Sequence, residues 1–168
     1  MKSKLFLVLL FVVTNAFSQE EKKAITTTLD DWHNAAAEAD FETYFNLMTP
    51  NGVFLGTDAT ENWQNSEFKA FSKPYFDRGK AWSFTPVERN IYVSGNYAWF
   101  DELLDTQMEI CRGSGVLQKI DGSWKIAHYV LSIAVPNKTV DALIELKKET
   151  DSLLLIDLKE KYKSTKNN

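Results

Sequence analysis

Four side chains are best placed by type to move a proton: His33, His128, Asp101 and Glu102. His128 lies in Ser123–Val135, where apolar and polar residues alternate as they do in a strand. That alternation puts Trp124, Ile126, His128, Val130 and Ser132 on one face and Lys125, Ala127, Tyr129, Leu131 and Ile133 on the other. If Asp121-Gly122 forms a two-residue turn, Leu117, Gly115 and Gly113 fall beside the His128 set. The two glycines would leave room there, so His128 is expected to look into a pocket as a general acid or base. The competing reading is a half-buried imidazole that only bonds a neighbour. His33, beside Trp32 on a helix flank, is expected to face solvent or to cap. Two separate histidines without clustered ligands imply no metal site.

Asp101 and Glu102 follow one another in a strand-like run, so one of them should point inward. A carboxylate on an apolar wall needs a partner or its pKa rises. Arg112, on a neighbouring strand, is the expected partner, and Asp101 is the second candidate proton carrier. A structural ion pair or a solvated edge is the alternative. Arg112 and Ser114 should face away from His128 unless a bulge in the glycine-rich segment re-aims them. Tyr44, Trp63, Trp82 and Trp99 are the aromatic candidates for a pocket lining, with Arg112 and His128 to orient a polar group. Gly56-Thr57-Asp58 lacks the glycine pattern and lysine of a phosphate loop. No serine or cysteine nucleophile acquires a base, and nothing implies a cofactor. Cys111, the single cysteine, reads as a buried apolar residue.

The elements that must position these groups change period midway. Ile25, Leu29, Trp32 and Ala36 form a helical stripe within Glu20–Ala39, and Asp40 caps a second helix carrying Phe41, Tyr44, Phe45 and Met48. Val53–Gly56 reads as a short strand. Asp58 and Glu61 have capping-box spacing for a helical turn bearing Trp63, and a helix from Ser66 to Gly79 should be kinked or broken by Pro74. Strands are expected at Trp82–Val93, Tyr97–Thr106, Met108–Ile120 and Ser123–Val135, then a charged helix over Thr139–Tyr162. Helices followed by antiparallel strands mean an α+β domain. A long twisted sheet curls, and helices on its concave side leave a cone-shaped hollow.

Lys2 and Lys4, an apolar run over Leu5–Val13 and small residues near Ser18 have the order of a cleavable signal peptide. Export to the periplasm or medium is therefore expected, with no stable membrane anchor after cleavage. Residues 19–136 would be the domain and 137–168 a helical extension. Losing the two lysines takes the net charge from −4 to −6. Such an acidic chain without a basic cluster excludes nucleic acid as a partner.

The segments Trp32-His33-Asn34-Ala35-Ala36, Phe54-Leu55-Gly56-Thr57-Asp58, Ala98-Trp99-Phe100-Asp101-Glu102, Arg112-Gly113-Ser114-Gly115 and Asp121-Gly122-Ser123-Trp124-Lys125-Ile126-Ala127-His128 occur in a telling order. Together they resemble the NTF2-like superfamily and its SnoaL-like branch of exported proteins, over about residues 25–136. The resemblance implies a cone fold with N-terminal helices on a strongly curved antiparallel sheet, here with an added C-terminal helix. It does not fix a chemistry. The leading expectation is a module that binds a small, largely apolar molecule. The rival is an acid/base isomerase, dehydratase or cyclase using His128 or Asp101. A third is an assembly domain, in which a stripe of Tyr129, Leu131 and Ile133 is covered by the terminal helix or by a second copy in a homodimer.

Overall fold

Ile25, Leu29, Trp32 and Ala36 are all buried in helix α1 (Lys2–Ala37), as their spacing requires. The computed structural model describes the backbone of residues 2–166 and the side chains of residues 19–166. The signal-peptide expectation for Met1–Ser18 thus falls on side chains outside the described residues. Among the described residues, no helix is long and apolar enough to cross a membrane.

Asp40 caps α2 (Phe41–Asn46) by accepting the Thr43 N–H at 3.0 Å, and α2 buries Tyr44 and Phe45. Strand β1 (Met48–Leu55) starts earlier than its local composition suggests and runs through Pro50 and Gly52. Met48 belongs to this strand rather than to the helix, because it pairs in parallel with Ile126. Asp58 and Glu61 do bond locally, Glu61 accepting the Asp58 N–H at 3.1 Å while Asp58 accepts the Thr60 N–H at 2.8 Å. What they cap is a tight turn, and Trp63 lies in strand β2 (Asn62–Gln64), antiparallel to β1. Helix α3 (Asn65–Asp77) stays one element through Pro74, which sits in its last turn where few intrahelical bonds remain to be lost. It buries Phe68, Ser72 and Phe76.

Strands β3 (Phe84–Ser94), β4 (Tyr97–Thr106), β5 (Glu109–Ile120) and β6 (Ser123–Ile133) form an antiparallel meander. Asp121 and Gly122 both take positive φ, 49° and 81°, the geometry of a tight hairpin turn. The six strands are ordered β2-β1-β6-β5-β4-β3, with β1 and β6 the parallel pair. The helices cover one face, whose buried residues include Phe54, Phe100, Leu104, Leu117, Ile126 and Tyr129.

One irregularity decides what that face contains. From the turn the register runs Leu117↔Ile126, and it then shifts so that Val116 faces His128 and Gly115 faces Tyr129. The extra residue on β6 is a bulge, and it reverses the side-chain alternation beyond it. Tyr129 and Leu131 are therefore buried under the helices, 0% and 5% exposed, while His128 and Val130 turn to the outer face. The expected stripe of Tyr129, Leu131 and Ile133 does not exist as an outer surface. Gly115 permits the bulge, since a Cβ there would lie 2.3 Å from the His128 carbonyl oxygen. Gly113 permits its consequence, since a Cβ there would lie 2.3 Å from the Tyr129 hydroxyl.

Residues Met1–Ile133 and Ala134–Asn168 form two compact units. The second holds a short 3-10 turn (Asn137–Thr139) and helix α4 (Val140–Lys166), none of whose residues is buried.

The Gly113 site generates a test. Gly113→Ala should lower stability by about 1–3 kcal/mol, the usual cost of overpacking, because the Tyr129 ring is held on several sides. A reduced urea midpoint at unchanged slope is the expected result.

Candidate functional site

Glu102 holds the most consequential charge in the domain. It is 1% exposed and stands on the inner face of β4, with Asp101 on the outer. Its Oε1 lies 2.8 Å from His33 Nε2 and accepts the Tyr129 hydroxyl at 3.1 Å. A carboxylate only accepts, so the His33 Nε2 must carry a hydrogen. Oε2 accepts Arg89 Nε–H at 2.8 Å. Arg89 Nη2 is equally close to Oε2 but poorly aligned for a bond, so it contributes attraction rather than a directed contact. Arg89 Nη1 in turn donates to Asp30 at 2.7 Å.

Asp30 and His33 are one helical turn apart on α1, so that helix closes over the Arg89–Glu102 cross-strand pair from two points. Burial pushes the Glu102 carboxyl toward the neutral form. The hydrogen bond and charge of His33, with the charge and hydrogen bond of Arg89, outweigh it and hold the pKa below the usual carboxylate range. Burial, with the Glu102 charge beside it, pushes the Tyr129 phenol well up, so it remains a donor.

Beside this network, on the same inner face, is an open-mouthed cavity of about 150 Å³. Its walls are Phe54, Trp63, Phe68, Phe71, Trp82 and Phe84, closed by Met108 and Leu131. Thr57, Glu61 and Gln107 supply its polar groups, and Gly56 also lines it. Phe54 and Phe68 stack with centroids 4.1 Å apart, and Trp63 stacks on Phe71 at 4.4 Å. Phe84 belongs to the cavity wall and also packs edge-on against His33, at 6.0 Å between centroids. One aromatic ring thus separates the hollow from the buried imidazole.

The residues expected to form a site are divided among several places. Trp63 and Trp82 line the cavity. Tyr44 is fully buried core, stacked on Trp32 at 4.8 Å. Trp99 is on the outer face, 48% exposed and stacked on Tyr92. His128 shares that outer face, paired with Val116 and Val53, because the bulge turns it there. Arg112 is exposed opposite Ser132, on the same side as His128 rather than away from it. Asp101 accepts from Asn90 at 3.0 Å, so neither carboxylate pairs with Arg112.

His33, expected at the surface, is 3% exposed. Its place was legible, since Leu29, His33 and Ala36 keep four- and three-residue spacing beside the Trp32 stripe. Arg89 was legible too: a two-residue turn at Gly95-Asn96 sets it directly opposite Glu102. Among the described residues, no group of three or more His, Cys, Asp or Glu could hold a metal ion.

Two outcomes follow for the network. Arg89→Met strands a buried carboxylate and should cost about 3–5 kcal/mol in chemical denaturation. The lowered Glu102 pKa contributes stability above its unfolded value of about 4.3, and that contribution disappears as pH falls through the folded value. Unfolding free energy measured from pH 6 downward should therefore decline less steeply in Glu102→Gln than in the unaltered protein.

The SnoaL-like domain family model matches residues 25–136, well over half of the chain. No curated protein matches. An NTF2-like protein of unknown function from Pseudomonas putida KT2440 superposes with a TM-score of 0.61 at 14% identity, covering 72% of this chain and 92% of that one. A proposed dehydratase of the NTF2-like family from Streptomyces avermitilis gives 0.63 at 13% identity, covering 71% and 99%. An NTF2-like protein from Cytophaga hutchinsonii gives 0.58 at 16% identity, covering 67% and 98%. At such identities the likeness concerns the fold. The family match runs through both the cavity wall and the buried network; the fold is NTF2-like, and the chain belongs to the SnoaL-like domain family.

Proposed function

We propose that the domain binds one small, largely apolar molecule in the inner-face cavity and releases it unchanged. The observation that carries this reading is the lining itself: six aromatic rings converge on about 150 Å³ with only three polar side chains. Ligand sites for drug-sized molecules usually exceed about 300 Å³. An apolar hollow of roughly 150 Å³ accepts a benzene-sized guest. The ligand is therefore a single ring or a compact branched group whose polar end meets Thr57, Glu61 or Gln107. Of the groups expected to carry protons, His128 and Asp101 face the other side of the sheet, and Glu102 already accepts from one donor atom of each of three residues. Glu61 reaches the hollow, with no histidine or second carboxylate in the lining to relay a proton. This argues for binding over turnover. The order of residues 1–18 supports delivery of the domain outside the cytoplasm.

A second reading rests on Phe84. If that ring swings aside, His33 joins Glu61 as a titratable group facing a ligand in the cavity, with Glu102 fixing its tautomer. Conversion of a bound compound that ceases in His33→Asn would favour it.

Calorimetric titration with indole and with phenol tests the binding reading. Saturable one-to-one heat is expected from at least one of them, and Met108→Trp, which fills the hollow from its rim, should weaken it tenfold or more. No saturable heat from either compound, or unaltered binding in Met108→Trp, would count against the cavity as a ligand site.

A further inference from the structure

The charge of the cavity lining narrows its ligand further. Glu61 is the one ionisable side chain among the lining residues, and no lysine, arginine or histidine accompanies it. Its carboxylate is held in place by the turn before β2. Oε2 accepts the Asp58 N–H at 3.1 Å, the Glu61 N–H donates to the Asp58 carbonyl at 3.0 Å, and the Glu61 carbonyl accepts the Gly56 N–H at 3.0 Å. Gly56 is required for this placement, because a Cβ there would lie 2.1 Å from Oε2. A fixed negative charge therefore stands at the rim of a hollow walled by aromatic rings, with no basic residue in the lining to neutralise it.

Aromatic π-systems attract cations through their quadrupoles, most strongly where water is excluded, and tryptophan does so best. Trp63 and Trp82 both belong to the wall. An anionic ligand would meet Glu61 without a compensating cation. A primary ammonium would give up strong hydration on entry, whereas methylated nitrogen spreads its charge over apolar groups that suit the walls. We propose that the cavity takes a small quaternary ammonium ion, its methylated head among the rings and its charge balanced by Glu61. This deepens the binding reading above and rests on it.

Choline and 3,3-dimethyl-1-butanol have the same shape and differ by the nitrogen charge, so the pair isolates the proposal. In calorimetric titrations of the full chain, choline should bind at least tenfold more tightly than the alcohol. Glu61→Gln, which keeps an acceptor for the Asp58 N–H, should abolish most of that preference while leaving the alcohol's affinity unchanged. Trp82→Leu should weaken choline more than the alcohol, with the thermal midpoint recorded for each variant to confirm folding. Equal or tighter binding of the alcohol would overturn the ammonium assignment and leave the apolar cavity standing, as would binding of indole or phenol without choline. Absence of binding by all four compounds would overturn both.

Discussion

A carboxylate with no access to water organises the inner face of this domain. Glu102 stays ionised in the core because His33, Tyr129 and Arg89 surround it, and Asp30 balances the second side of the guanidinium. The partners come from three elements: α1 supplies His33 and Asp30, β3 supplies Arg89 and β6 supplies Tyr129. Replacing any one of them with an apolar residue would leave a buried charge or donor without its counterpart, the most expensive defect a core can carry. The network therefore fixes how the first helix lies on the sheet. That placement in turn fixes Trp32 within the aromatic core.

The bulge on β6 and the glycines on β5 are a second device serving the same end. Without the extra residue, an unbroken alternation would carry His128 inward and Tyr129 outward. With it, the phenol reaches Glu102 across the space that Gly113 leaves empty. The glycines that suggested space beside a catalytic histidine instead make room for a structural tyrosine and for the bulged backbone. Leu131 follows Tyr129 inward and becomes part of the cavity wall, so the same irregularity shapes both the network and the hollow.

Polar and apolar functions are thereby separated on one face. The carboxylate of the network is engaged by hydrogen bonds from three residues and has little capacity to bind anything else. The cavity beside it is rich in rings and has one fixed carboxylate at its rim. Phe84 is the partition, packing on His33 with one edge and bordering the hollow. Fully buried charges reward rigidity, whereas an open-mouthed aromatic hollow offers desolvation to whatever enters it.

Local rules were sufficient for much of this. The sequence alone determined the order of the helices and of the four meander strands, the burial of the α1 stripe, the Asp121-Gly122 turn and the need for one of Asp101 and Glu102 to face inward, because periodicity and turn chemistry act over a few residues. Trp63 and Trp82 were named as lining for their aromatic type alone, and the same criterion named Tyr44, which is core, and Trp99, which is on the outer face. Tertiary structure decided the rest. Met48 became a strand residue by pairing with Ile126, far away in the chain, and the Asp58–Glu61 turn led into a strand because β1 lay beside it. Whether His128 or Tyr129 looked inward depended on a single unpaired residue, Ala127, opposite the step from Leu117 to Val116. A pattern with a period of two inverts completely when one residue is added, and only the packed sheet fixes where that addition falls.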